Sequence, residues 1–347
     1  MMRTKLHSFL LFGLAIGFGG LGWVFFNQSD VAARNTVSEV SSDGIVQGAQ
    51  NERSPYGVST ATPAALPYGG YQPLRRASAS TLAVPDAHAS LILDVDSGTI
   101  LHYANGRERR SIASLTKLMT ALVVIDATEN LDAPVTITRE ALAVDGTVVG
   151  CPRAGYCIDG RLFVGEQMRV RDLLAAMLMN STNDAATALA IHVGGSQQEF
   201  VARMNARAEE LGLRDTHFCT PSGLDIDGQE HICYSTAYDI ARVAAHLLTY
   251  PAYAIVWETM QREEATIADI GGTRTHRILN TDELLGRMDG LLGAKTGFTP
   301  QAGRSLLLAA TDPSGTHKII AVLMDDPYRW RDVQEMIAWA FQSYEWQ

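Results

Sequence analysis

The chain has 347 residues, 46% of them hydrophobic and 19% charged, which is ample material for a globular core. Its net charge is −10, and the first 84 residues hold about six basic against about four acidic side chains, leaving the remainder near −12. That balance argues against nucleic acid as a partner, because phosphate contacts need basic stripes.

The N-terminus carries Arg3 and Lys5 ahead of an apolar run from Phe9 to Phe26. Roughly 18 apolar residues nearly span a bilayer and exceed the usual h-region. The length favours a retained signal anchor over a cleaved signal peptide, for which Val31-Ala32-Ala33 offers a small-residue site. Either way Arg3 and Lys5 stay cytoplasmic and the rest is exported. Residues 1–26 are thus expected to be a stub and membrane segment. Residues 27–84, rich in Ser, Ala, Pro, Gly, Gln and Asn without apolar periodicity, are expected to be a flexible linker, and residues 85–347 a single domain.

Ser90 to Ala104 predicts a hairpin turning at Asp96-Ser97-Gly98. Ser111 to Asp126 predicts a buried helix with Ser114 and Lys117 on one face near its start. An amine there is desolvated and opposed by the helix dipole, and both effects lower its pKa. Cys151, Cys157, Cys219 and Cys233 are an even set in an exported chain. Two disulfides are favoured, and pairing 151 with 157 and 219 with 233 is the simplest of three connectivities. Zinc is disfavoured, since neither pair has Cys-x-x-Cys spacing. Helices are predicted from Val170 to Met179, Ala185 to Val193, Ser196 to Leu213 and Ser235 to Leu248, with Ser181 and Asn183 in the first interruption. Strands are predicted from Arg274 to Leu279, Leu291 to Phe298, Ser305 to Thr311 and His317 to Met324, then a closing helix from Trp330 to Tyr344. Strands at both ends bracketing helices predict an α/β fold with an antiparallel sheet assembled from distant segments.

Only four lysines occur, at Lys5, Lys117, Lys295 and Lys318; every other basic side chain among the 28 Lys+Arg is arginine. An amine can give up a proton, which arginine cannot, so lysine at positions 117 and 295 points to proton chemistry. Ser114-Leu115-Thr116-Lys117, Ser181-Thr182-Asn183 and Lys295-Thr296-Gly297 follow in order. A lone Ser-x-x-Lys says little, but the three together are the motif set of serine penicillin-binding proteins and active-site serine β-lactamases. With Ile112 to Thr120, Asn183 to Ala186, Phe200 to Asn205, Pro221 to Asp225, Ser235 to Asp239 and Gly293 to Gly303, roughly residues 88–345 resemble the D-alanyl-D-alanine carboxypeptidase family of low-molecular-mass penicillin-binding proteins (peptidase family S11).

The resemblance implies a penicillin-binding-protein-like antiparallel sheet flanked by helices, with an all-helical insertion. It implies no cofactor and no metal, peptidoglycan stem peptides as substrates, β-lactam antibiotics as inhibitors, and a site on the outer face of the bacterial inner membrane. Ser114 would be the nucleophile, Lys117 its base, and Ser181 a proton relay to the departing D-alanine. Asn183 would hold the substrate amide, and Lys295 and Thr296 its terminal carboxylate, with Lys295 acting mainly as a charge. Gly297 would let the strand approach the substrate, and the N–H groups of Ser114 and Phe298 would form the oxyanion hole. Many family members continue into a β-rich domain and a membrane-binding tail, whereas this sequence stops at Gln347, with its anchor expected at the N-terminus instead. The Cys151 to Cys157 loop looks like an addition. A D,D-endopeptidase uses the same residues and stays open as an alternative. A β-lactamase of the nearest class needs Glu-x-x-x-Asn, which Glu230-His-Ile-Cys-Tyr fails. A non-catalytic wall-binding role is disfavoured by the intact motif set.

Overall fold

The computed structural model describes residues 71–152, 156–228 and 231–347. The expected membrane segment, most of the expected linker and Glu230 lie outside the described residues. Among the described residues no helix is long and apolar enough to cross a membrane.

In chain order the elements are β1 (Pro73–Arg75), β2 (Ala89–Asp94), β3 (Ile100–Ala104), a 3-10 turn (Ala113–Thr116), α1 (Lys117–Asp126) and β4 (Pro134–Thr136). There follow β5 (Gln167–Arg169), α2 (Val170–Met179), α3 (Asn183–Gly194), α4 (Gln197–Glu210) and α5 (Ala237–Thr249). The chain continues through α6 (Ala254–Met260), β6 (Glu264–Ala268), β7 (Thr275–Leu279), β8 (Leu291–Thr299) and β9 (Gly303–Thr311), and closes with β10 (Lys318–Met324), α7 (Arg329–Ser343) and β11 (Tyr344–Trp346).

The main sheet has the order β3-β2-β10-β9-β8, all antiparallel, so the first two strands meet the last three across the sequence. Side chains alternate across a strand. Leu306, Leu308 and Ala310 accordingly face one way with Ile319, Ala321 and Leu323, and pack with Val333, Met336, Ile337 and Ala340 of α7. Leu307, Ala309, Ile320 and Val322 face the other way into the larger core, which takes in α1 to α6. Both faces are covered, which is why β9 and β10 read as continuous apolar runs rather than alternating ones. Helix α1 runs through the middle of the helical side, and Leu118 to Val124 are all buried. Hydroxyl caps start two of its neighbours: Ser196 Oγ accepts from Glu199 N at 3.1 Å, and Thr236 Oγ1 accepts from Asp239 N at 3.0 Å.

Three expectations change. The linker was expected to run to residue 84, yet β1 pairs with β11, Trp339 Nε1 donates to Ser80 O at 2.9 Å, and Leu82 and Val84 pack against the α7 side of the core. The partners of this stretch sit at the other end of the chain, so no local periodicity betrays it. The strand expected at Arg274 to Leu279 forms, but pairs with β6 in a separate ribbon rather than joining the main sheet. The buried helix expected from Ser111 begins instead as a 3-10 turn at Ala113, with α1 following from Lys117. Both cysteine pairs are bonded locally, Cys151 to Cys157 and Cys219 to Cys233, which leaves no free thiol for zinc.

Candidate active site

Ser114 lies in the tight turn that precedes α1, at the edge of β8. Ala113 before it holds φ at 47°, a left-handed conformation that costs a non-glycine residue on the order of 1–2 kcal/mol. The turn is held from two sides. A Cβ at Gly223, whose φ is 79°, would sit 1.9 Å from Ala113 O, so the Pro221 to Asp225 loop approaches the nucleophile turn as only glycine allows. A Cβ at Gly297 would meet Ile112 O at 3.0 Å and Ala113 Cβ at 3.4 Å. The small residue in β8 therefore lets the strand close onto the nucleophile turn, where the sequence suggested room for substrate.

The Lys117 side chain is wholly buried, and its Nζ has three partners. It lies 2.8 Å from Ser114 Oγ, 2.8 Å from Asn183 Oδ1 and 2.7 Å from Ser222 O. The amide oxygen and the carbonyl can only accept, whereas the serine hydroxyl can also donate. In its neutral form, with two protons and one lone pair, the amine would give its protons to Asn183 and Ser222 and turn its lone pair toward the Ser114 hydroxyl. Burial, and then the positive charge of Lys295, hold this amine well below its ordinary value, with Asp184 pulling the other way.

The middle motif forms the turn between α2 and α3. Ser181, at φ 62°, points its hydroxyl at Lys295, whose Nζ donates to Ser181 Oγ at 2.8 Å and to Thr296 O at 3.0 Å. Lys295 is also 0% exposed, and burial, followed by the charge of Arg329, brings its amine down to about 7. Asn183 is fixed beyond its contact with Lys117. Its Nδ2 donates to Asp145 O at 2.7 Å and its backbone N–H to Thr147 O at 2.7 Å. The neighbouring Asp184 carboxylate accepts from Val149 N at 3.0 Å, and burial pushes it up to about 6. The segment that leads into the Cys151–Cys157 bridge thus holds the middle motif in place.

The three motifs converge as the sequence predicted, Ser114 and Lys117 meeting Asn183, and Ser181 meeting Lys295. Phe298, next along β8, is 63% exposed. Sequence reasoning missed Arg329, at the start of α7. Its Nε and one terminal nitrogen are buried without a hydrogen-bond partner, and burial and the charge of Arg304 lower its pKa. These unpaired donors make Arg329 a candidate partner for an anion. Nothing in the spacing around Arg329 marks it, because the chain returns to the site there only through the sheet. Chemically the site can activate a hydroxyl, deliver a proton from Lys295 through Ser181, and bind an anion beside Thr296. Among the described residues no group of three His, Cys, Asp or Glu side chains is placed to hold a metal.

Residues 76–328 match the peptidase family described as D-alanyl-D-alanine carboxypeptidase. The chain belongs to the D-alanyl-D-alanine carboxypeptidase family. It is 32% identical over 268 residues to the D-alanyl-D-alanine carboxypeptidase DacF of Bacillus subtilis, an alignment covering 75% of this chain and 63% of that protein. The chain therefore spans less than two thirds of that curated relative. Among solved structures it is similar to the penicillin-binding protein homologue Rv2911 of Mycobacterium tuberculosis, with a TM-score of 0.67 and 29% identity over 78% of this chain and 96% of that one. Penicillin-binding protein D2 of Listeria monocytogenes, solved in an ampicillin-bound form, gives a TM-score of 0.62 and 30% identity over 76% and 100%. The fold of this family member is that of the penicillin-binding proteins, an antiparallel sheet between helices.

Proposed function

We propose that the chain is a serine-type D-alanyl-D-alanine carboxypeptidase that removes the terminal D-alanine from peptidoglycan stem peptides through an acyl-enzyme, and that β-lactams acylate the same serine. The observation that carries this reading is the wholly buried Lys117 Nζ 2.8 Å from Ser114 Oγ, with two obligate acceptors that would leave a neutral amine's lone pair to Ser114. Lys117 takes the Ser114 proton as the hydroxyl attacks the carbonyl between the two D-alanines. The N–H groups of Ser114 and Phe298 receive the oxyanion, a contribution of a few kcal/mol by the usual magnitudes. Collapse of the tetrahedral intermediate needs a proton on the leaving amine, and Ser181 supplies it, recharged by Lys295.

Lys295 was expected to anchor the substrate carboxylate mainly as a charge. Its complete burial and its bond to Ser181 support proton delivery instead, with Thr296 and the unpaired donors of Arg329 as the candidates to hold the carboxylate. Two disulfides support an exported location, and the N-terminal apolar run supports anchoring, with residues 27–70 as the tether to the wall.

Fluorescent penicillin should label wild-type protein and not Ser114→Ala. D-alanine should be released from a free pentapeptide. Cleavage of a crosslinked dimer without such release would make the chain an endopeptidase, and no label and no release would refute the reading.

A further inference from the structure

The segment between β7 and β8 brings a second hydroxyl to the carboxylate end of the cleft. Thr281 Oγ1 is 3.0 Å from Thr296 Oγ1, and either can donate. Thr281 Oγ1 is also 3.3 Å from Met179 O, a carbonyl that already accepts from Thr281 N at 3.0 Å. The segment is fixed on both sides of Thr281. Asn280 Nδ2 donates to Met260 O and Arg262 O, each at 2.8 Å, and Asp282 Oδ1 accepts from Leu284 N at 2.9 Å.

A threonine hydroxyl has one proton to give. If Thr281 gives its proton to Met179 O, then Thr296 must point its own proton at Thr281 and has none for a ligand. If Thr281 donates to Thr296, the Thr296 proton is free to point into the cleft. The switch between the two costs little, because Met179 O keeps the Thr281 N–H when the hydroxyl turns away. An anion at Thr296 selects the second arrangement, since a hydrogen bond to a charged acceptor is the stronger one.

We propose that Thr281 is a positioning residue that directs the Thr296 hydroxyl proton at the free carboxylate of the substrate. This rests on the carboxypeptidase reading above. It also ties the β8 wall of the cleft to the end of α2, one residue before the turn that carries Ser181.

The experiment uses the full chain and steady-state release of D-alanine from an acyl-D-alanyl-D-alanine peptide, with acylation by benzylpenicillin, which also carries a carboxylate, as a second readout. Thr281→Val should raise KM about tenfold with kcat little changed, and slow penicillin acylation by a similar factor. Thr281→Ser, which keeps the hydroxyl, should restore both. In the Thr296→Val background Thr281→Val should add no further loss, since the proton it directs is gone. Thermal melting establishes that the variants fold. A Thr281→Val effect confined to kcat, failure of serine to rescue a folded variant, or full additivity with Thr296→Val would overturn the proposal while leaving the carboxypeptidase reading intact. A wild-type chain that neither binds penicillin nor releases D-alanine would overturn both.

Discussion

Lys117 and Lys295 are the same side chain with the same burial, and their neighbourhoods make them different reagents. Lys117, on the helical wall, faces an amide oxygen and a carbonyl that would use up the two protons of a neutral amine, which on the proposed reading presents its lone pair to Ser114. Lys295, on the strand wall, has Thr296 O as its one obligate acceptor, and its contact with Ser181 can carry a proton outward. Burial lowers both amines, and the charge of Lys295 lowers Lys117 further. Burial and neighbouring charge set how far each amine is lowered, and the fixed acceptors set which way its protons point.

Substitution at Lys117 should break the comparison most completely. Lys117→Arg introduces a permanent charge that cannot accept a proton, so acylation by penicillin should fall by about 10²–10⁴-fold in a protein whose circular dichroism is unchanged. Acylation near the wild-type rate would remove Lys117 as the base.

The strand wall is tested next through pH. Lys295 is protonated below about 7 and loses its proton as pH rises through that value. Turnover that draws a proton from it should therefore decline on the alkaline side of about 7, and Lys295→Ala should abolish that limb along with most activity. An unchanged alkaline limb in the residual activity of Lys295→Ala would assign the proton elsewhere.

Arg329 sharpens the same wall with a smaller effect. Arg329→Gln should raise KM for a peptide with a free carboxylate by about 10–100-fold, the range for a lost hydrogen bond to a charged group, with a lesser change in kcat. An equal KM in wild type and variant would exclude Arg329 from the carboxylate site.

How far these residues were legible depends on whether their partners are close in the chain. Ser114 and Lys117 are three apart, Ser181 and Asn183 two apart, and Lys295 to Gly297 contiguous, so each motif is a local pattern whose side chains fold into one place. Thr281 is a single residue on the way into β8 and Arg329 a single residue just after β10, and no spacing announces either. Residues 71–84 look like linker because their polar composition is local, while the strand that orders β1 is β11. The sequence pointed to close approach at Gly297 but not to the nucleophile turn as its neighbour, because a glycine in a strand does not say whether protein or ligand approaches it.

The remaining effect is on stability rather than turnover. Closing the loop between Cys219 and Cys233 should contribute about 3 kcal/mol, and the shorter loop between Cys151 and Cys157 about 2 kcal/mol. Paired serine replacements at Cys219 and Cys233 should accordingly lower the denaturation midpoint more than replacements at Cys151 and Cys157. The latter should instead show in activity, because the segment leading into that bridge holds Asn183 and Asp184. The reverse ranking would mean that the short loop is structural and the middle motif does not depend on it.

The central claim is that Lys117 is a neutral amine in the resting protein, and the chain is well suited to a direct test because it has four lysines in all. Lysine labelled at Cε and Nζ would give a sparse NMR spectrum, with the Lys117 signal identified by its loss in Lys117→Met. That signal should titrate well below the ordinary lysine value of about 10.4 and report a neutral amine at pH 7. A Lys117 signal that remains charged through pH 7 and titrates near the ordinary value would contradict the account.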